Sequence, residues 1–191
     1  MSRESSESLA EQHVREFTRA GVRAGLLADD DLRREVVEAV AAELPDRDAE
    51  ETADAWIAEA REELRVDQES WPEATDYERL QTAFSELELS DVVVLQGVED
   101  HWEAKKLLEE RDAEGDPARG VAWFTPPDVW HAVDHGMLEV NVWHGDTANV
   151  EPGDELLADV LGVLEKHGLA AHFDEGRIEV SAHWHRRVPA V

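Results

Sequence analysis

The spacing of apolar residues changes character near residue 90, and that change constrains the fold more than any other feature of the chain. Before it, apolar side chains recur every three or four positions, the period that lines one face of a helix. Leu9, Val14, Phe17, Gly21 and Ala24 form a first stripe. Leu32, Val36, Val37, Val40 and Leu44 form a second, with Asp29 to Asp31 offering caps and Pro45 as its stop. A third runs from about Ala49 through Ala53, Trp56, Ile57, Ala60 and Leu64 and ends before Trp71-Pro72, because the residue preceding a proline is pushed out of helical geometry. The fourth buries Tyr77, Leu80, Ala83, Phe84 and Leu87 and opens on Thr75-Asp-Tyr-Glu78, the spacing of a capping box.

Past residue 90 the pattern shortens to that of strands. Asp91 to Gly97 holds a β-branched run, Gly120 to Phe124 and Met137 to Trp143 read as strands, and Leu169 to Phe173 and Arg177 to His185 form a terminal pair joined through Asp174-Glu-Gly176, a hairpin signal. Helices separate them: a weakly patterned charged segment from 100 to 117, a short helix started by Thr125-Pro-Pro-Asp128, and a longer one from about Glu151 to His167 with Gly168 as its stop. The reading is an α+β fold: a helical N-terminal part of about four helices, then a small mixed or antiparallel sheet with two or three helices and a C-terminal hairpin. In domain terms, residues 1–8 read as a disordered tail, 9–90 as the helical region and 91–191 as the α+β domain, the two packed as one unit.

Charge narrows the function classes. Of 191 residues 46 are acidic and 18 basic, a formal net charge of −28, which opposes binding to nucleic acid or to an anionic membrane. The acidic excess is spread along the chain, −15 over residues 1–90 and −13 over 91–191, and Lys105, Lys106 and Lys166 are the only lysines. An evenly acidic, lysine-poor chain suits multimolar salt, where a Debye length of about 3 Å or less screens carboxylate repulsion. A rival reading, an acidic nucleic-acid mimic or immunity-type inhibitor, requires the charge concentrated on one face. Cysteine is absent, which excludes disulfides, thiol catalysis and thiolate metal sites. No window approaches the ~18 apolar residues of a membrane span, and Met1 to Ser8 lacks the apolar core of a signal peptide, so the expected location is cytoplasmic.

Three segments, Trp71-Pro-Glu-Ala-Thr-Asp-Tyr-Glu-Arg-Leu-Gln-Thr-Ala-Phe84, Arg119 to Phe124 and Gly168 to Arg187, together resemble an uncharacterised, mostly bacterial family with a W-P-x-x-T-D-x-x-R-L-x-x-A-F segment and a C-terminal small α+β unit. The resemblance implies the same order of elements and no activity. The resemblance implies cysteines in many members, one inside the T-D-x-x-R-L segment and others after the first strand; this chain has Tyr77 and a cysteine-free stretch from Val98 to Asp112 there, so no metal or redox role of those cysteines transfers.

Two sets of residues are candidates for chemistry. His131 and His135 stand one helical turn apart and His144-Gly-Asp146 follows a strand later, a conceivable divalent-metal site for a metal-dependent enzyme. The competing reading places Val129, Trp130 and Val133 inward, leaving His131 solvated beside Asp128 and Asp134. On the last strand Ile178, Val180, Ala182 and Trp184 alternate with Glu179, Ser181, His183 and His185. His183 and His185, with Trp123 and Trp143 on neighbouring strands, are the candidate ligand-binding residues of a non-catalytic domain that takes a protein or small-molecule partner and no cofactor. Against that stands burial of the same face beneath the N-terminal helices. No G-x-S-x-G, glycine-rich phosphate loop or S-x-x-K is present.

Overall fold

A computed structural model describes residues 3–188. The chain forms two compact units, one of residues up to Trp71 together with the segment from Arg186, the other Pro72–His185.

The first unit packs α1 (Arg3–Ala24), α2 (Asp29–Glu43) and α3 (Ala49–Asp67) around one core. Val14, Val36, Val40, Ala53, Trp56 and Leu64 are among its buried members, and Val188 packs against it from the returning C-terminal segment. Gln68 clamps that segment: its Oε1 accepts from the Val188 N–H at 3.1 Å, and its Nε2 donates to the Val188 carbonyl at 3.4 Å. Arginines tie the helices together on their outer faces, with Arg15 bonded to Glu11 and Glu59, Arg19 to Glu63 and Arg47 to Glu11. Burial would push the Glu11 carboxyl up, and the Arg15 and Arg47 guanidiniums outweigh it, so its pKa lies below the ordinary value.

Three details of this unit differ from the pattern reading. Helix α1 begins at Arg3, so of the expected tail 1–8 only residues 1 and 2 lie outside the described residues. Leu9 is 57% exposed, and it is the next residue, Ala10, that packs against the core. Asp29 to Asp31 form the first turn of α2, with Ala28 as a cap that makes no side-chain bond; their charge favours the positive helix end without capping it.

The second unit is the α+β part. In chain order it holds α4 (Asp76–Leu89), β1 (Val92–Gln96), α5 (His101–Glu114), β2 (Gly120–Phe124), α6 (Pro126–His135), β3 (Met137–His144), α7 (Glu155–Lys166), β4 (Ala170–Asp174) and β5 (Arg177–Ser181). The five strands form one mixed sheet in the order β1-β2-β3-β5-β4. Strands β1 and β2 run parallel across the α5 crossover, and every other neighbouring pair is antiparallel. The β4–β5 turn places positive φ at Glu175 and Gly176, the type I′ geometry whose twist matches a hairpin.

Helix α4 starts from the expected capping box, Thr75 Oγ1 accepting from the Glu78 N–H and the Glu78 carboxylate from the Thr75 N–H. It belongs to the sheet rather than to the N-terminal helices, so the boundary of the units falls at Trp71-Pro72 and not at the change of pattern near residue 90. The reason is its apolar stripe, which faces the sheet: the Phe84 ring lies 5.8 Å from Phe124, itself 5.8 Å from Trp184, whose edge meets Tyr77 at 4.9 Å. The covered sheet face carries Phe124, Leu138, Val140, Val142, Ile178 and Val180, all buried. No helix among the described residues is long and apolar enough to cross a membrane.

Candidate functional site

The opposite sheet face is divided. Strand register puts Val93 and Leu95 of β1, Val121 and Trp123 of β2, and Glu139, Asn141 and Trp143 of β3 on it, with Glu179 of β5 and His172 of β4 continuing the row. Helix α5 lies over the β1–β2 half and buries Ala104 and Leu108 against Val121 and Trp123. The cover therefore comes from the weakly patterned charged segment of the same unit. Asp100 caps α5 through a bond from the Trp102 N–H at 2.8 Å, and Glu103 accepts from the Glu99 N–H at 2.7 Å.

Where α5 begins, a ladder of rings climbs from the core to solvent. Trp123 is buried, and its ring meets Trp143 edge-on at 5.3 Å. Half-buried Trp143 lies 6.2 Å from His101, which is 4.6 Å from Trp102. Trp102 is 59% exposed, with the Lys105 ammonium 5.3 Å above its ring. The Trp123 indole Nε1 is a buried donor with no acceptor, an uncommon condition for an interior N–H. The sequence pattern does not single out His101 or Trp102. The one signal was their position, directly after a cap residue on a helix too polar to hide an indole.

The other two expected ligand residues lie elsewhere. Residues 182–185 continue past the end of β5 at Ser181 and cap helix α6: Ala182 N donates to Gly136 O at 2.9 Å and Trp184 N to Ala132 O at 3.2 Å. Alternation survives there without strand pairing, Ala182 and Trp184 buried, His183 exposed and His185 half-buried. The two imidazoles stack at 5.0 Å with 9° between planes, and the His183 N–H donates to Asp76 at 3.2 Å. The His183 ring sits so close to Gly136 that a Cβ there would lie 2.5 Å from it. Ser181 pairs with Met137 at the start of β3, whereas Trp143 lies six residues further along, about 20 Å at the strand rise. Trp123 and Trp143 are thus together, His183 and His185 are together, and the two pairs occupy opposite ends of the sheet.

The four metal candidates are parted by the same strand. His131 and His135 meet edge-on at 4.9 Å on α6, just before β3, whereas His144 ends that strand. His144 Nε2 bonds Asp154 at 2.9 Å, and the Asp146 carboxylate accepts from the Ala148 N–H at 3.1 Å in a local turn. The bond from His144, with one from the Glu151 N–H, holds the Asp154 carboxyl below its ordinary pKa. Among the described residues no group of three or more His, Asp or Glu side chains is placed to hold a metal ion. The orientation of α6 also differs from the expected one: Val129 and Ala132 are its buried residues and Trp130 is 37% exposed.

A family described as a domain of unknown function, DUF6891, matches residues 6–188. The chain belongs to it. The match spans both units. No curated protein matches the chain, and no solved structure does.

Proposed function

We propose that this DUF6891 domain is a non-catalytic recognition module of the cytoplasm of a salt-adapted cell, and that the aromatic ladder at the start of α5 is its contact surface. The observation that carries this reading is Trp102: a 59% exposed indole on a chain of mean hydropathy −0.51, continuous through His101 and Trp143 with a buried Trp123. Exposed aromatic side chains backed by a packed core are the usual anchors of protein interfaces. Glu99, Asp100 and Glu103 surround the ladder, so the complementary partner is a protein presenting a basic and apolar patch, its cations seated over the indole faces. In concentrated salt the ring contacts retain their strength while the charge contacts are screened.

Affinity capture in high salt, run in parallel with the wild-type chain and with Trp102→Ala, tests this. The expected result is a protein retained by the wild type and lost from the variant, whose purified form then binds the wild type in calorimetry at least about tenfold more tightly than the variant, a typical margin for a removed aromatic anchor. Equal retention by the two chains, or equal affinity of the purified partner, contradicts the proposal.

A further inference from the structure

The helical unit contains a cavity whose chemistry inverts that of the chain. It encloses about 460 Å³, within the size range of small-molecule sites. Three guanidinium side chains line it, Arg61 and Arg65 of α3 and Arg186 of the returning segment, against a single carboxylate, Asp29. In a chain with 46 acidic and 18 basic residues, that ratio of three to one is the reverse of the whole. The remaining wall is apolar, supplied by Val22, Leu27, Leu32 and Val188, and Leu27 is 40% exposed.

Arg186 is held in place by the backbone. Its guanidinium lies flat on Gly25, where a Cβ would fall 2.0 Å from Cζ, and Gly25 has a φ of +59°, so both the turn and the close approach need glycine. Nη2 reaches the Val22 carbonyl at 3.4 Å at the C-terminal end of α1, and Nε is buried without any acceptor. The other two arginines are engaged by exchangeable partners: Arg61 bonds Asp29, which is 83% exposed, and Arg65 bonds its own-helix neighbour Glu62, which is 65% exposed. A ligand anion can replace both carboxylates without uncovering buried charge.

We infer that this cavity is a binding site for a small amphiphilic anion, its carboxylate or phosphate head held by Arg61, Arg65 and Arg186 and its apolar body against Leu27, Leu32 and Val188. Guanidinium groups suit such heads through paired, charge-assisted hydrogen bonds. The site lies in a different unit from the aromatic ladder and does not depend on that reading.

Fluorescence titration of the full chain in high salt with 8-anilinonaphthalene-1-sulfonate tests the inference, with decanoate, decyl phosphate and decyltrimethylammonium as competitors. The expected result is one saturable site per chain, displaced by the two anions and not by the cation; the more effective anion identifies the head group. The paired substitution Arg61→Gln with Arg65→Gln, with its thermal midpoint checked against the wild type, is expected to weaken probe binding by at least about tenfold, as for loss of charge-assisted bonds. Leu27→Asp, at a 40% exposed position and with its thermal midpoint checked in the same way, is expected to weaken it similarly by placing a carboxylate in the cavity. Displacement by decyltrimethylammonium as readily as by decanoate, or an unchanged affinity in either variant, overturns the inference.

Discussion

Strand pairing places Glu139 of β3 directly opposite Glu179 of β5, on the open half of the sheet. Two carboxylates so paired are about 5 Å apart, which in water amounts to roughly 0.8 kcal/mol of repulsion. The fold offsets this locally: Arg177 bonds Glu139, and His172 Nε2 lies 3.4 Å from Glu179. Replacing Arg177 by Gln removes one surface ion pair, worth about 0.2–1 kcal/mol, and uncovers the repulsion. The expected total is about 0.7–1.5 kcal/mol at about 0.1 M salt, where the Debye length is near 10 Å and an interaction across 5 Å keeps about 0.6 of its strength. At about 1 M KCl the Debye length falls to about 3 Å, and an interaction across 5 Å keeps only about a fifth of its strength, so the cost shrinks to a few tenths of a kcal/mol. Urea unfolding of the wild type and Arg177→Gln at both salt concentrations measures it, with amide exchange along β3 and β5 locating the effect. The double substitution Arg177→Gln with Glu139→Gln is expected to recover most of the low-salt loss. A destabilisation that is equal in both salts, or absent at low salt, refutes the claim that charge repulsion on this face is what salt relieves.

Core and acid responses provide further tests. Phe124 is fully buried between Phe84 and Trp184, so Phe124→Ala is expected to cost about 3–5 kcal/mol in urea unfolding of the second unit, and a loss below about 1 kcal/mol would deny that these rings form its centre. Hydrogen bonds from Lys166 and His167 hold the Glu86 carboxyl below its ordinary pKa. A lowered carboxyl contributes stability that is present above its unfolded pKa and lost as pH falls through the lower folded value. Glu86→Gln is therefore expected to be less stable than the wild type at pH 7, with the two unfolding curves converging as pH falls below about 4; a gap that persists in acid would show that the substitution acts through packing instead. Trp102→Ala is expected to leave the thermal midpoint within about a degree, since most of the indole is already in water, and a large drop would make the residue structural rather than functional.

Much of the architecture was legible because it rests on local chemistry. The capping box at Thr75 and Glu78, the proline-started helix after Thr125 and the hairpin at Glu175-Gly176 are each specified by a few adjacent residues, and the structure forms all three. The expected neighbourhood of Trp123 and Trp143 on adjacent strands is also formed, the two rings meeting on one sheet face. What was hidden depends on partners far away in sequence. A stripe such as Tyr77, Leu80, Phe84 and Leu87 shows that α4 is buried and cannot show on what, so its allegiance to the sheet was invisible. Alternation also continues through Ala182 and Trp184, although these residues cap α6 and pair with no strand, so the pattern alone groups His183 and His185 with one long sheet face. Helix α5 buries only Ala104 and Leu108, too few to announce that it covers half the sheet and leaves Trp102 in solvent.

The central claim is that the ring ladder at the start of α5 is where this domain meets its partner. Fluorine NMR of the chain labelled with 5-fluorotryptophan, in clarified high-salt extract of the source cells compared with buffer of equal salt, tests it most directly. Broadening or displacement of the Trp102 and Trp143 resonances, with the buried Trp56 and Trp184 signals unmoved, is the predicted result. Unchanged Trp102 and Trp143 signals in extract, or equal changes at all the indoles, would contradict the account.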